Sequence, residues 1–204
     1  MSLIHINYSM NIQIINIPRP DKIKLIHEYI DVWINVRNIL KDSIKKIPDT
    51  LFIKPMEDKT WSASQIVEHL ALTQDRFSRS IPLIFKGRLK SSTIENMKEN
   101  YVFPDYDYIE NYFRKHKKVK NPEGVTPIQI LKKTEALNHL ENSMTLFKKN
   151  ISDKNIDELK NIIFEHPVLG YTSLLDTVWT QILHEEHHLF YLHQKYFSEE
   201  KTEN

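Results

Sequence analysis

Residues 172–197 read TSLLDTVWTQILHEEHHLFYLHQKYF, and this stretch decides the fold. It opens just after Gly170 and predicts one long helix reaching about Phe197. At its centre, HEEHH over residues 184–188 sets His184 and His188 four apart, on one face and one turn from each other. Outward from it, three more stretches carry signals of long helices. After Pro18 and Pro20, the apolar residues Ile23, Ile26, Ile30, Trp33, Leu40, Ile44 and Ile47 predict a helix over 20–47 that ends before Pro48, with Arg37 interrupting the seam. Ser62 and Gln65 have the spacing of a capping box, so a second helix is expected over 62–85, its last turn bent or shortened by Pro82. Thr126 and Pro127 suit the start of a third over 127–149, with Leu137, Leu140, Met144 and Phe147 facing inward. Four long helices without strand alternation predict an all-α four-helix bundle, a single domain over 1–204 with residues 1–17 as an extended arm. The connection from Lys86 to Val125 is too long to be bare. A short helix near Tyr108 to Arg114 and a lid over one bundle end are expected there.

Composition narrows the chemistry. With 28 Lys+Arg against 27 Asp+Glu the net charge is +1, which supplies no field for a polyanion, and no nucleic-acid partner is expected. The basic run Arg114 to Lys120 reads as solvated surface. The absence of Cys excludes disulfides, cysteine-based zinc sites, iron–sulfur clusters and a thiol nucleophile. The first twenty residues lack the pattern of a secretory leader and no window is apolar enough to span a bilayer, so the expected location is the cytoplasm, with no membrane partner. Ten His among 204 residues is about twice the usual share, which directs attention to imidazole chemistry.

Two imidazoles one helical turn apart can converge on one metal ion. His187 competes with His188 as the partner of His184, but also suits the surface. The same residues match the H-E-x-x-H pattern of zinc proteases, yet only 16 residues follow His188, and Glu199 and Glu200 fall in what reads as a frayed tail. A third ligand is therefore sought upstream, and His69 is the candidate because it interrupts the inward ladder Ile66, His69, Thr73, Phe77. Three neutral imidazoles leave a divalent ion its full charge and an open position, the arrangement of a catalytic site. Glu185, Thr73 and Gln181 are candidate acceptors for the free ring N–H groups, and Glu185 reads as a structural residue rather than a general base. Arg37 has two readings, a partner for a carboxylate such as Asp75 or an anion clamp near the metal. Trp33, Trp61 and Trp179 read as core anchors.

The segment WSASQIVEHL at 61–70, followed after more than a hundred residues by EHPVLGYTSLLDTVWTQILHEEHHLFYL at 165–192, resembles the DinB/YfiT-like superfamily of metal-dependent proteins. The resemblance implies a bundle that holds a divalent metal (Zn, Ni, Fe or Mn) through His69, His184 and His188, and the family's HP-x-x-G turn is matched by His166, Pro167 and Gly170. Many members carry Gln three residues after the second His of the pair, where this chain has Tyr191 and then Gln194 a turn later. The implied activity is that of a hydrolase, or of an S-transferase that uses a low-molecular-weight thiol such as bacillithiol, acting on a small-molecule substrate. A homodimer is implied as well. The alternative of another class is a non-enzymatic metal-binding stress-response protein.

Overall fold

The computed structural model describes residues 15–55, 60–97, 105–114, 124–166 and 169–197. Four long helices form the bundle: α1 (Ile26–Lys46), α3 (Ala63–Phe85), α5 (Lys133–Ile151) and α7 (Leu174–Tyr196). Shorter ones are α2 (Asp49–Phe52), α4 (Tyr106–Arg114) and α6 (Ile156–Asn161). Among the described residues no helix is long and apolar enough to cross a membrane.

Two helix starts are set by reciprocal side-chain caps. Ser62 Oγ accepts from Gln65 N–H while Gln65 Oε1 accepts from Ser62 N–H, starting α3 where the capping-box spacing places it. Ser173 and Asp176 exchange the same pair of bonds at the start of α7, two residues later than expected because Thr172 belongs to a strand. The other two starts also lie further along. Pro20–Lys22 is a short 3-10 turn and Ile23 is extended, so Pro20 and Ile23 are buried from outside a helix; α1 begins at Ile26, where Glu28 accepts from Lys24 and Leu25 N–H. Thr126 and Pro127 do not cap α5. The chain from Val125 runs without helix to Lys132, and Ser64 Oγ holds both backbone groups of Leu131 at 2.8 Å. Pro82 lies within α3 and cannot donate to Ser78 O, and Asn150 Nδ2 of α5 donates to that carbonyl instead at 2.9 Å.

Three short strands supplement the bundle. β1 (Ser92–Thr93), β2 (Ile162–His166) and β3 (Gly170–Ser173) form an antiparallel sheet with β2 in the middle, Ile163 opposite Ser173 and His166 opposite Gly170. The run Ile162, Ile163, Phe164 is too short to reveal a strand by periodicity, which is why none is expected from sequence. Of the expected N-terminal arm only residues 15–17 are described: Ile17 is buried, and Ile15 packs against both parts of the core. Within the basic run Arg114 to Lys120 only Arg114 is described, and it pairs with Glu110; the tail carrying Glu199 and Glu200 lies outside the described residues.

The core consists of two apolar clusters along the bundle axis. One is built from Ile26 to Val36 of α1, Phe77 to Ile84 of α3, Met144 to Ile151 of α5 and Leu174 to Leu183 of α7. The other takes Leu40 and Ile44, Ala63 to Ala71, Ala136 and Leu140, and Leu189 and Leu192 from the same four helices. Trp33 and Trp179 anchor the first cluster, fully buried. Within the bundle α3 packs chiefly on α5, and α1 on α7.

Candidate metal centre

His69 projects from α3 at the level where the second apolar cluster ends, and is buried at 3% exposure. Its Nδ1 donates to Val125 O at 2.7 Å. A carbonyl can only accept, so that bond fixes the proton on Nδ1 and leaves a lone pair on Nε2. Gly124 makes the approach possible: at φ +84° it turns the chain into Val125, and a Cβ there would stand 2.5 Å from the Arg76 guanidinium.

The Nε2 lone pair of His69 points at α7. Nε2 of His69 and Nε2 of His188 each lie 3.1 Å from Nε2 of His184, and one ligand atom from each ring falls within 4.8 Å of the others. With metal–nitrogen bonds of about 2.0–2.1 Å, nitrogens 3.1 Å apart subtend roughly 100° at a shared ion, between octahedral and tetrahedral values. Burial holds the pKa of His69 below its ordinary value against the Val125 hydrogen bond, and lowers that of His184 further, with His69, His187 and His166 adding repulsion. Neutral rings that turn nitrogen lone pairs toward one another repel unless a cation or proton lies between them, so the donor set fits a metal ion.

The five residues of HEEHH face three neighbours. His184 and His188 turn toward His69. Glu185 turns toward α1, where Trp33 Nε1 donates to it at 2.6 Å and Arg37 grips both of its oxygens. Glu186 and His187 turn toward α4: Arg114 Nε lies 3.7 Å from Glu186, and His187 Nδ1 donates to Phe113 O at 2.7 Å. His187 is therefore engaged by a backbone carbonyl and lies outside the ligand set, although its ring is 5.0 Å from that of His188.

Several sequence expectations change here. Arg37 pairs with Glu185, not Asp75, which bonds Arg79 one turn along α3. Each nitrogen of the Arg37 guanidinium donates within the core, so Arg37 is no anion clamp. The acceptor behind His69 is Val125 O, while Thr73 Oγ1 donates to the carbonyl of His69 within the helix and Glu185 is spent on Arg37 and Trp33. Trp61 is only half-buried, and its ring lies 5.0 Å from that of His69. Val125 carries no side-chain signal of such a role; the one sequence cue is the Gly124 beside it. His166 Nδ1 accepts from Leu169 N–H at 3.2 Å, and burial pulls its pKa down to about 4.

A model of the DinB superfamily matches residues 33–192, a span that contains all three histidines. No curated protein matches the chain. Among solved structures, YfiT from Bacillus subtilis, described as a probable metal-dependent hydrolase with an unusual four-helix bundle topology, superposes with a TM-score of 0.52 at 16% identity, over 82% of this chain and 85% of that one. At that identity the likeness speaks to the fold, and it agrees with the family match over most of the chain. By sequence and by architecture, the chain belongs to the DinB superfamily.

Proposed function

We propose that this protein is a metal-dependent enzyme acting on a small molecule, with a divalent ion held by Nε2 of His69, His184 and His188. The reading rests on one observation, the convergence of three imidazole nitrogens, two of them on the partly exposed His184 and His188. An ion there would supply Lewis acidity at an open position, where water or a low-molecular-weight thiol loses its proton near neutral pH. Zn, Ni and Fe suit an imidazole set, and Mn, which favours oxygen ligands, suits it least. The remaining work falls to this chain's own residues. Val125 O keeps the His69 ring in place and in the tautomer that offers Nε2. Glu185, the residue that would be the base of an H-E-x-x-H protease, is buried and neutralised by Arg37, so it does not receive the nucleophile's proton. His166, electrostatically coupled to His184 and with Nδ1 occupied by Leu169 N–H, holds its proton on Nε2. A nucleophile activated without a carboxylate base accommodates both hydrolysis and thiol transfer.

The test is metal content by mass spectrometry on untagged protein, beside His69→Ala and His184→Ala. About one ion per wild-type chain, lost in both variants, is expected. Loaded protein is then assayed with an activated ester and with a thiol plus an aryl halide. A chain that takes up no metal after reconstitution with Zn or Ni, or variants that keep full occupancy, would sink the reading. Full occupancy without turnover of either probe would favour a metal-binding protein that is not an enzyme.

A further inference from the structure

Between the two apolar clusters lies a polar layer made of one residue from each long helix. These are Arg37 of α1, Gln74 of α3, Ser143 of α5 and Glu185 of α7, each at most 2% exposed. Arg37 bonds Glu185 and Gln74 directly and reaches α5 through a backbone carbonyl. Its Nε and Nη2 grip the two oxygens of Glu185, Nη2 also donates to Gln74 Oε1 at 2.7 Å, and Nη1 donates to the α5 carbonyl of Leu140. Ser143 Oγ lies 2.6 Å from Gln74 Oε1, and Trp33 Nε1 closes the remaining side of Glu185.

The layer sits where the ligands are. Glu185 follows His184 directly, and Gln74 lies five residues beyond His69. Yet α3 and α7, which carry the three histidines, pack chiefly on α5 and α1 rather than on each other. Their mutual placement is thus relayed through neighbours, while a metal site tolerates only about 0.5 Å or 10–20° of error in its ligands. Purely apolar contacts would allow small slides along the helix axis and small rotations about it, because they have no direction. A forked guanidinium bound to α7, α3 and α5 at once does have direction. A rotation of α7 that strains the Arg37–Glu185 fork also moves His184, because Glu185 and His184 are adjacent on one rigid helix.

We propose that Arg37 is a positioning residue for the metal centre: through Glu185 and Gln74 it sets the register of α7 against α3 and so the spacing of the His69, His184 and His188 nitrogens. The proposal rests on the reading that these histidines hold a metal, and it adds a device for that site which the three histidines do not contain. It differs from a plain stabilising role in one respect. A stabilising residue changes how much protein is folded, whereas a register key changes the site within the folded protein.

The experiment uses Co(II) alone as probe, titrated into metal-free full-length protein. Affinity and the visible d–d spectrum are recorded beside the apo melting temperature. The variants are Arg37→Met, Arg37→Lys, which keeps the charge without the fork, and Glu185→Gln, which keeps the shape without the charge. Ile151→Ala, at the far end of the first apolar cluster, serves as a destabilised control. Arg37→Met and Arg37→Lys are expected to bind Co(II) at least tenfold more weakly with an altered spectrum, and Glu185→Gln to fall between them and wild type. The control should keep wild-type affinity within about twofold despite its lower melting temperature. If Arg37→Met does not fold, Arg37→Lys and Glu185→Gln decide the matter. Wild-type affinity and spectrum in those folded variants would overturn the proposal, as would a loss of affinity in the control that tracks its melting temperature. Failure of the wild-type chain to bind Co(II) or Zn(II) would instead remove the metal reading itself, and the proposal with it.

Discussion

Gly124 and Gly87 both have positive φ, at +84° and +65°, but only Gly124 has a neighbour where a Cβ would go. Backbone strain from an L side chain in that region costs about 1–2 kcal/mol at either position. Gly124→Ala also forces the Arg76 guanidinium, the far end of a flexible side chain, to move, so it is expected to destabilise slightly more than Gly87→Ala in urea unfolding. Equal losses would show that the Arg76 contact yields freely. The neighbouring position is far less restricted, because Val125 contributes a main-chain acceptor and an apolar side chain, and other apolar residues provide both. What sequence reveals of the site follows from the same distinction. His69 stands out as the polar interruption of an apolar ladder, and His184 and His188 as an i, i+4 pair, all of which are local patterns. Val125 acts through a carbonyl that every residue possesses, so no letter marks it. Arg37 is conspicuous, but its partner lies 148 positions away, and sequence distance points instead to the nearer Asp75.

At the scale of elements, α3 shows how a helix accommodates a proline. Pro82 leaves Ser78 O without its helical donor, and Asn150 of α5 supplies one. Asn150→Ala is expected to cost about 1–3 kcal/mol, the usual penalty for a buried group left unsatisfied. In Pro82→Ala the helix regains its own N–H, so removal of Asn150 from that background should cost much less. Additive losses in the double-mutant cycle would mean that the carbonyl is satisfied some other way. Helix existence is readable from apolar spacing, whereas helix starts depend on more. α3 begins where Ser62 and Gln65 predict, because a capping box is complete within four residues. α1 begins later than apolar spacing suggests, because Ile23 is contributed by non-helical chain that rests on the bundle, and α5 begins later than Thr126 and Pro127 suggest, because the chain runs without helix to Lys132. The β2–β3 pairing is hidden for a related reason: strands as short as Ile162–His166 and Gly170–Ser173 carry too few residues to show a period.

For the molecule as a whole, one buried and two partly buried histidines tie stability to pH. Burial lowers the pKa of His69, His166 and His184 in the folded chain, so below the ordinary value of 6.5 the unfolded state takes up protons that the folded state refuses. Their contribution is complete above 6.5 and is lost as pH falls toward the folded values. Asp176 and Glu186 act in the opposite sense, since burial raises their pKa and protonation favours the folded chain. His166 can be isolated by comparing wild type with His166→Gln, both kept metal-free by chelator. Its folded value of about 4 gives a pH-dependent difference on the order of 3 kcal/mol between pH 7 and pH 4, with wild type losing more. Parallel stability curves for the two proteins would place the His166 ring in contact with water.

The division of HEEHH among three neighbours also bears on how short motifs are used to sort proteins. The string satisfies the zincin pattern letter for letter, but here its glutamate is held by an arginine of another helix and its extra histidine holds the end of α4. The pattern matches because any helix that offers two imidazoles to one side has intervening positions facing elsewhere, and a buried cation on a neighbouring helix favours an acidic residue at one of them. Pattern searches that stop at those five letters will therefore sort bundles of this kind with peptidases. Asking where the glutamate's charge is neutralised would separate the two groups.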